Sequence, residues 1–420
     1  MRDRPLSVHY GIDGLFTFAA ISIVSNNNNL FAQRLGAGDF HLSMIMFLPQ
    51  IIMVILLIPA GLFTDSLKNR RRMIAISLFV GGVFYALAGA SAFVPVGTVY
   101  IFLGMIALAV VSNGMYNLSW LSFFPEVVPE EEGENRNTVL TFRARMTMLV
   151  QLLFPLAIGG VLTSVVSHEG SIRAHQLFYL AAAILFFMNA FHFRKIKPTM
   201  PAAPKRVTFT ELKTAAKRLS KNKNFVLFTA AILFFHMTWH VDWTLYFIGQ
   251  RNYLLMNPFL LSLGPFTATV AQLLTLKLWS KNNIRQGVEK PLAYGMFGLA
   301  LCPVAMIAGV SISGSLGIGV FLTIHFIGHL AFANLSLNMF QCLFKVADEG
   351  NRSFSISVYT LLITLSNGVM PVAGVALYRA LGGDRQGLVW AFMIVFFLRI
   401  AAGIIWLLRV KYASKMAEVS

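Results

Sequence analysis

The sequence has few charged side chains. Of its 420 residues only 12% are Asp, Glu, Lys or Arg, while 57% are hydrophobic. A soluble domain has about 25% charged and roughly 45–50% apolar residues, so this chain cannot cover itself with a water-facing polar surface. The length would allow two or three soluble domains, but Phe and Met are spread along the whole chain. The composition excludes an ordinary soluble enzyme and indicates a membrane protein.

Cysteine is equally scarce. The chain has two, Cys302 and Cys342, and both lie inside apolar runs. A disulfide framework or a thiolate metal cluster cannot be built from two such residues. The sequence also lacks a phosphate-binding glycine loop with lysine, a nucleophile elbow and an HExxH motif. We therefore expect no enzymatic activity and no cofactor.

Acidic residues are outnumbered two to one, with 17 Asp and Glu against 34 Lys and Arg. In a soluble protein such an excess would suggest nucleic acid as a partner. Here the basic residues lie in short segments between apolar stretches, so no nucleic acid is expected. With the N-terminus in the cytoplasm, most of them fall on the cytoplasmic side, as the positive-inside rule requires. The pattern predicts a multi-pass protein of the cell membrane with both termini cytoplasmic.

Twelve stretches are long enough to cross the membrane. A helix of about 20 apolar residues spans the ~30 Å hydrocarbon core. We number the predicted spans 1 to 12, at residues 12–34, 42–64, 73–93, 99–122, 142–166, 176–193, 225–248, 259–280, 291–312, 317–341, 354–379 and 387–409. The sequence therefore predicts an all-α membrane protein.

The chain divides into two similar halves. Residues 194–224 are rich in Lys and Arg and contain three prolines near their start, which predicts a cytoplasmic linker with a short amphipathic helix at 209–219. The linker separates a six-span bundle at 1–193 from another at 225–420. Asn135-Arg136 and Pro155 of the first half recur as Asn351-Arg352 and Pro371 in the second. Such a recurrence is typical of a duplicated six-helix unit.

A motif lies at the turn between spans 2 and 3, where residues 61–72 read GLFTDSLKNRRR. It resembles the cytoplasmic signature of the major facilitator superfamily, although Ser66 and Lys68 depart from the usual residues. The resemblance implies two pseudo-symmetric six-helix bundles that rock about a central cavity. It also implies a conformational latch formed by Gly61, Asp65, Arg70 and Arg71. The basic residues would alternatively serve only as positive-inside anchors.

The resemblance further implies that spans 1, 4, 7 and 10 line the cavity, and these spans are rich in polar residues. Span 1 contains four consecutive asparagines, Asn26 to Asn29. Four successive residues sweep about 300° of a helix, so either the helix unwinds locally or some of them bond to neighbouring helices. We take Asn26 and Asn29 as candidate substrate ligands. Span 4 adds one helical face, formed by Asn113, Tyr116, Asn117 and Trp120.

Spans 7 and 10 each contain a histidine pair at i, i+4, His236 with His240 and His325 with His329. The opposite directions of the two spans allow the pairs to share one depth. Trp239 and Trp243 extend the first pair. We take these six aromatic side chains as further candidate substrate ligands.

Asp242 follows closely after the first pair. An intramembrane carboxylate beside imidazoles suits proton coupling, so Asp242, His236 and His240 are candidates for that role. Alternatively the histidines only join helices, and Asp242 pairs with Arg251 or meets water. Arg399, in span 12, is expected to contact neighbouring helices.

The sequence favours a monomeric secondary transporter in the lipid bilayer that moves a small polar organic solute, such as a sugar or nucleoside-like compound. The central turns of the four cavity spans carry no Lys or Arg, which disfavours phosphate-bearing or multiply carboxylated substrates. A proton or another coupling ion would drive transport, as in a symporter. Two alternatives stay open: a divalent metal-ion transporter using His236, His240, His325 and His329, or a proton-driven exporter of hydrophobic compounds.

Overall fold

A computed structural model describes residues 5–25, 27–128, 133–198, 209–347 and 352–419. Within these ranges all regular elements are helices, and twelve of them are long and apolar enough to cross a membrane. This confirms the predicted all-α membrane fold. The spans lie at Leu6–Arg34, Asp39–Leu57, Arg70–Phe93, Thr98–Phe124, Thr138–Ser164, His168–Phe193, Lys223–Tyr253, Pro258–Trp279, Glu289–Ile312, Gly314–Val346, Phe354–Ala380 and Arg385–Ala413.

The chain forms two compact units, residues 1–207 and 208–420. The helices of the first unit are Leu6–Ser25, Asn28–Arg34, Asp39–Ser66, Arg70–Ala90, Thr98–Val127, Gly133–Ser164 and His168–Phe193. Those of the second are Phe209–Lys221, Lys223–His240, Trp243–Ile248, Pro258–Gln286, Glu289–Leu299, Leu301–Ile312, Gly314–His329, Phe332–Val346, Arg352–Ala380 and Arg385–Val419. A 3₁₀ turn at Ser91–Phe93 and a π-helical turn at Gly249–Tyr253 complete the described elements.

Both units have aromatic interiors and apolar exteriors. In the first unit Phe31 packs among Phe102, His175 and Tyr179. In the second, one cluster is centred on Trp406 and Phe228 and another on Met306 and Phe392. Large apolar side chains such as Phe191, Leu274 and Leu408 remain exposed on the outside. Lipid is the solvent that suits such a surface.

The predicted amphipathic helix is present as Phe209–Lys221. Its Ala215 and Leu219 are buried, and Leu219 joins the Trp406 cluster of the second unit. Lys213, Lys217 and Arg218 are exposed on its other face. The helix therefore packs its apolar face against protein, and its basic face is exposed.

Several spans are interrupted. Span 1 is interrupted at Asn27, span 7 between His240 and Trp243, span 9 at Ala300, and span 10 between His329 and Phe332. At such breaks carbonyls lose their helical partners, and in lipid they need others. For span 10, Thr275 Oγ1 and Trp279 Nε1 both donate to Leu330 O, at 2.8 and 2.7 Å.

Span 11 packs closely against the break in span 7 through Gly374. A Cβ atom at Gly374 would overlap the carbonyl oxygen of Val241. We therefore expect Gly374→Ala to destabilise the solubilised protein by about 1–3 kcal/mol through overpacking. The matched control is Gly104→Ala, where nothing lies within 4 Å of the added Cβ. Thermal unfolding in detergent should separate the two variants, and equal melting temperatures would contradict the close packing.

Candidate functional site

In the second unit, Arg399 of span 12 binds the ends of two interrupted helices. Its Nε donates to Thr238 O at 3.3 Å and its Nη2 to Trp239 O at 3.3 Å, both just before the break in span 7. Its Nη1 donates to Leu299 O, at the break in span 9, at 2.8 Å. The side chain is only 1% exposed. Arg399 thus makes the helix contacts expected from the sequence, and it does so with backbone carbonyls that the interruptions leave available.

Asp242 lies within the break of span 7 and forms an ion pair with the same arginine. Both carboxylate oxygens are 2.7 Å from Arg399 Nη2, and Asp242 is fully buried. The alternative that Asp242 pairs with Arg251 is therefore wrong. The Arg251 guanidinium donates a hydrogen bond to Met256 O at 3.1 Å. A buried charge pair of this kind is neutral overall, which makes its presence inside the hydrocarbon region tolerable.

The first histidine pair lies beside this break and connects three spans. His236 Nδ1 is 3.4 Å from His240 Nε2, His236 Nε2 is 3.2 Å from the Met339 sulfur, and His240 Nδ1 is 3.1 Å from Ser366 Oγ. Met339 belongs to span 10 and Ser366 to span 11. Both imidazoles are buried and engaged in helix-to-helix contacts.

Two tryptophans flank the first pair. The Trp243 ring centroid lies 4.6 Å from that of His240, and the Trp239 ring lies 5.6 Å from that of His236. Both tryptophans are half-buried. Their exposed ring surface is available to stack on a ligand, while the histidine nitrogens already have protein partners.

The second histidine pair forms a separate group. The His325 and His329 rings are 4.1 Å apart, and Cys302 Sγ lies 3.5 Å from His329 Nδ1. Phe332 stands between the two pairs, in contact with both Trp239 and His329. In the described part of the chain, the group of possible metal ligands that comes together consists of Cys302, His325 and His329. A centre made of all four histidines is not formed.

The first unit contains a buried ion pair that the sequence analysis did not single out. Asp13 accepts hydrogen bonds from Tyr116 Oη at 2.8 and 3.0 Å, Trp120 Nε1 at 3.1 Å, Arg143 Nε at 3.1 Å and Asn189 Nδ2 at 2.9 Å. The Arg143 guanidinium also stacks 4.3 Å above the Trp120 ring. The signal in the sequence was that Asp13 is one of two acids within the predicted spans.

The polar face predicted for span 4 is therefore divided. Tyr116 and Trp120 are buried and their polar atoms donate to Asp13. Asn113 is half-buried, and its Oδ1 has no partner among the described residues. Asn117 is exposed. Of the four candidates, Asn117 is the one whose side chain is exposed.

The asparagine run of span 1 coincides with the break in that span. Asn27 Nδ2 donates to Ile23 O at 2.9 Å, and Asn28 Oδ1 accepts from the Tyr179 hydroxyl. Asn29 is half-buried, whereas Asn26 lies outside the described residues. Asn27 thus bonds within its own helix, and Asn28 bonds to Tyr179 of span 6.

The predicted latch contributes contacts within the first unit. Arg70 forms a salt bridge with Glu126 at the end of the span 4 helix and donates to Thr64 O and Ser122 O, each at 3.3 Å. Burial raises the pKa of the Glu126 carboxyl, and Arg70 opposes that shift. Arg71 donates to Arg194 O at 3.2 Å. The surroundings of Gly61 and Asp65 lie outside the described side chains.

Comparison with known proteins identifies the fold. Residues 12–364 match the family model described as Major Facilitator Superfamily. A bacterial homologue of the iron transporter ferroportin in an inward-facing state superposes with a TM-score of 0.74 at 13% identity, covering 96% of this chain and 98% of that one. The nucleoside transporter NupG gives 0.72 at 11% identity, covering 97% and 100%. A POT family transporter in complex with a thioalcohol-conjugated peptide gives 0.69 at 14%, covering 98% and 96%. None of the curated proteins matches this sequence.

Proposed function

Because this chain belongs to the Major Facilitator Superfamily, we propose that it is a proton-coupled secondary transporter of a small polar organic solute. The observation that carries the proposal is the interrupted span 7, where a buried carboxylate, two imidazoles and two half-buried indoles lie within eight consecutive residues, 236–243. Interrupted helices at substrate and coupling-ion sites are a recurrent feature of secondary transporters.

The class of solute is supported by the groups that each unit leaves accessible. The second unit offers the ring faces of Trp239 and Trp243, and the first unit offers the amides of Asn29 and Asn117. Aromatic rings and neutral hydrogen-bonding groups suit a sugar or a nucleoside-like compound. His236 and His240 would shape this region, since their ring nitrogens contact each other, Met339 and Ser366.

The ion pair of Asp242 supports the proposed coupling role. When the carboxylate takes up a proton it loses its negative charge, and its hydrogen bonds from Arg399 Nη2 weaken. Arg399 also donates hydrogen bonds to backbone carbonyls of span 7 and of span 9. Protonation would thus weaken the contacts that hold the interrupted ends of span 7 in place. Solute binding would be linked to proton binding through that break.

The solute is identified first, by a thermal-shift screen of the purified protein against sugars, nucleosides, amino acids, drugs and divalent metals. A compound that binds the folded state raises the apparent stability by RT ln(1 + [L]/Kd). A stabilising sugar or nucleoside supports the proposal. If only hydrophobic drugs stabilise the protein, the exporter alternative replaces it.

Asp242→Asn tests the coupling in liposomes containing the protein and the solute from that screen. The amide keeps the shape of the carboxylate but cannot carry the proton, so we expect proton-gradient-driven transport to fall at least about tenfold while solute exchange down its own gradient persists. Glu169→Gln is the matched control, because Glu169 is an exposed acid of the first unit. Unchanged pH dependence of transport by Asp242→Asn would remove the coupling role.

A further inference from the structure

A cluster of potential metal ligands lies between spans 9 and 10. Cys302, His325 and His329 each offer one ligand atom, and these atoms all lie within 4.8 Å of one another. His325 and His329 stand one helical turn apart on span 10, so both rings project from the same face. Cys302 reaches them from span 9, where its thiol is buried.

We infer that Cys302, His325 and His329 form a binding site for a late first-row divalent metal ion such as Zn²⁺. Bonds of about 2.3 Å to sulfur and about 2.0–2.1 Å to nitrogen place the ligands of a tetrahedral ion roughly 3.3–3.8 Å apart. The ligand atoms of the three residues lie within 4.8 Å of one another. Their separations therefore need to close by roughly 1 Å, which side-chain rotation provides.

The hydrogen bonding of the cluster supports a metal site. His325 Nδ1 is buried and has no hydrogen-bond partner among the described residues. An unsatisfied buried polar atom destabilises the folded state, and a bound cation would supply the partner. His329 Nδ1 lies 2.9 Å from His325 O. A backbone carbonyl beside a ring nitrogen is the usual way in which a metal-binding imidazole is oriented, with the other nitrogen facing the ion.

The ligand set selects the class of ion. One thiolate and two imidazoles suit zinc, cobalt or a similar late transition metal, whereas magnesium and calcium prefer oxygen ligands. Binding replaces the Cys302 thiol proton with a sulfur–metal bond, and the proton is released to solvent. Three protein ligands leave a fourth position for water or another ligand. Both histidines are half-buried.

Cobalt binding to the full-length purified protein tests this site directly. A thiolate bound to Co²⁺ gives a charge-transfer absorption that a free ion does not. We expect one equivalent of Co²⁺ to produce this absorption, excess Zn²⁺ to abolish it, and excess Mg²⁺ to leave it unchanged. The experiment requires no knowledge of the transported solute, so its outcome is independent of the transport assay.

Matched variants locate the site. Cys302→Ser should abolish the thiolate absorption, whereas Cys342→Ser, at the other buried cysteine of the same unit, should retain it. His329→Gln and His325→Gln should each weaken Co²⁺ binding at least about tenfold, and His236→Gln should not. Thermal unfolding in the presence of a chelator confirms that each variant is folded. Absence of the absorption in the unaltered protein, or its survival in Cys302→Ser, would overturn the assignment.

Discussion

Replacing Arg399 by methionine is expected to destabilise the solubilised protein by about 3–5 kcal/mol, the usual consequence of removing one partner of a buried ion pair. The variant leaves the fully buried Asp242 carboxylate without its cation. It also removes the donors to three carbonyls, at Thr238, Trp239 and Leu299. The melting temperature in detergent, measured by intrinsic tryptophan fluorescence, should fall sharply.

Two comparisons make this experiment specific. Arg173→Met removes an arginine from the exposed pair with Glu169, where both side chains are more than 70% exposed, and should change stability by less than about 1 kcal/mol. The double variant Asp242→Asn/Arg399→Met should recover part of the loss, because no unpaired charge remains buried. If Arg399→Met melts at the temperature of Arg173→Met, the buried ion pair does not stabilise the second unit.

Asp13→Ala is expected to have an effect of similar size on the first unit, also about 3–5 kcal/mol. The carboxylate accepts hydrogen bonds from Tyr116, Trp120, Arg143 and Asn189, so its removal takes an acceptor from four donors and leaves the half-buried Arg143 without its counter-charge. Tyr116→Phe removes a single hydroxyl and should cost less, about 1–3 kcal/mol. Thermal unfolding should therefore rank the two variants in this order.

Glu169→Ala serves as the exposed control for Asp13→Ala. The same series separates a structural role from a transport role. If Tyr116→Phe abolishes solute binding without lowering the melting temperature, Tyr116 contacts the solute rather than supporting Asp13.

The fold was predictable because the lengths of the apolar stretches and the positions of the charged residues can be read directly from the sequence. Twelve stretches of sufficient length specify twelve helices, and the spans found differ from those predicted mainly at their ends. The repeat of Asn135-Arg136 and Pro155 in the second half indicated two related bundles. Hydrocarbon leaves the backbone few alternatives to helix, so tertiary context could not override the local pattern.

The partners of the buried charges were not predictable, because they lie on helices distant in sequence. Asp242 and Arg399 are 157 residues apart, and Asp13 and Arg143 are 130 apart. Nothing in the spacing shows which spans are neighbours. The sequence around the break in span 7 does not indicate an interruption, because His240, Val241 and Asp242 include no glycine or proline. The residue that makes room for the break is Gly374, which lies on span 11.

The histidine pairs illustrate the same limit. Their i, i+4 spacing correctly places each pair on one helical face, as their ring contacts show. The spacing carries no information about the distance between the two histidine pairs. Phe332 lies between them, in contact with Trp239 and His329. The cysteine that joins the second pair could not be associated with it from sequence, because Cys302 lies on a different span.

The position of Arg399 near the end of the chain has a consequence for biosynthesis. Asp242 emerges from the ribosome 157 residues before its counter-charge, an interval of roughly 8–30 s at translation rates of about 5–20 residues per second. During that interval the nascent seventh span contains an acid with no cation to neutralise it. We therefore expect its stable release into lipid to wait for the twelfth span, so that ribosome-stalled chains ending before Arg399 remain associated with the insertion machinery.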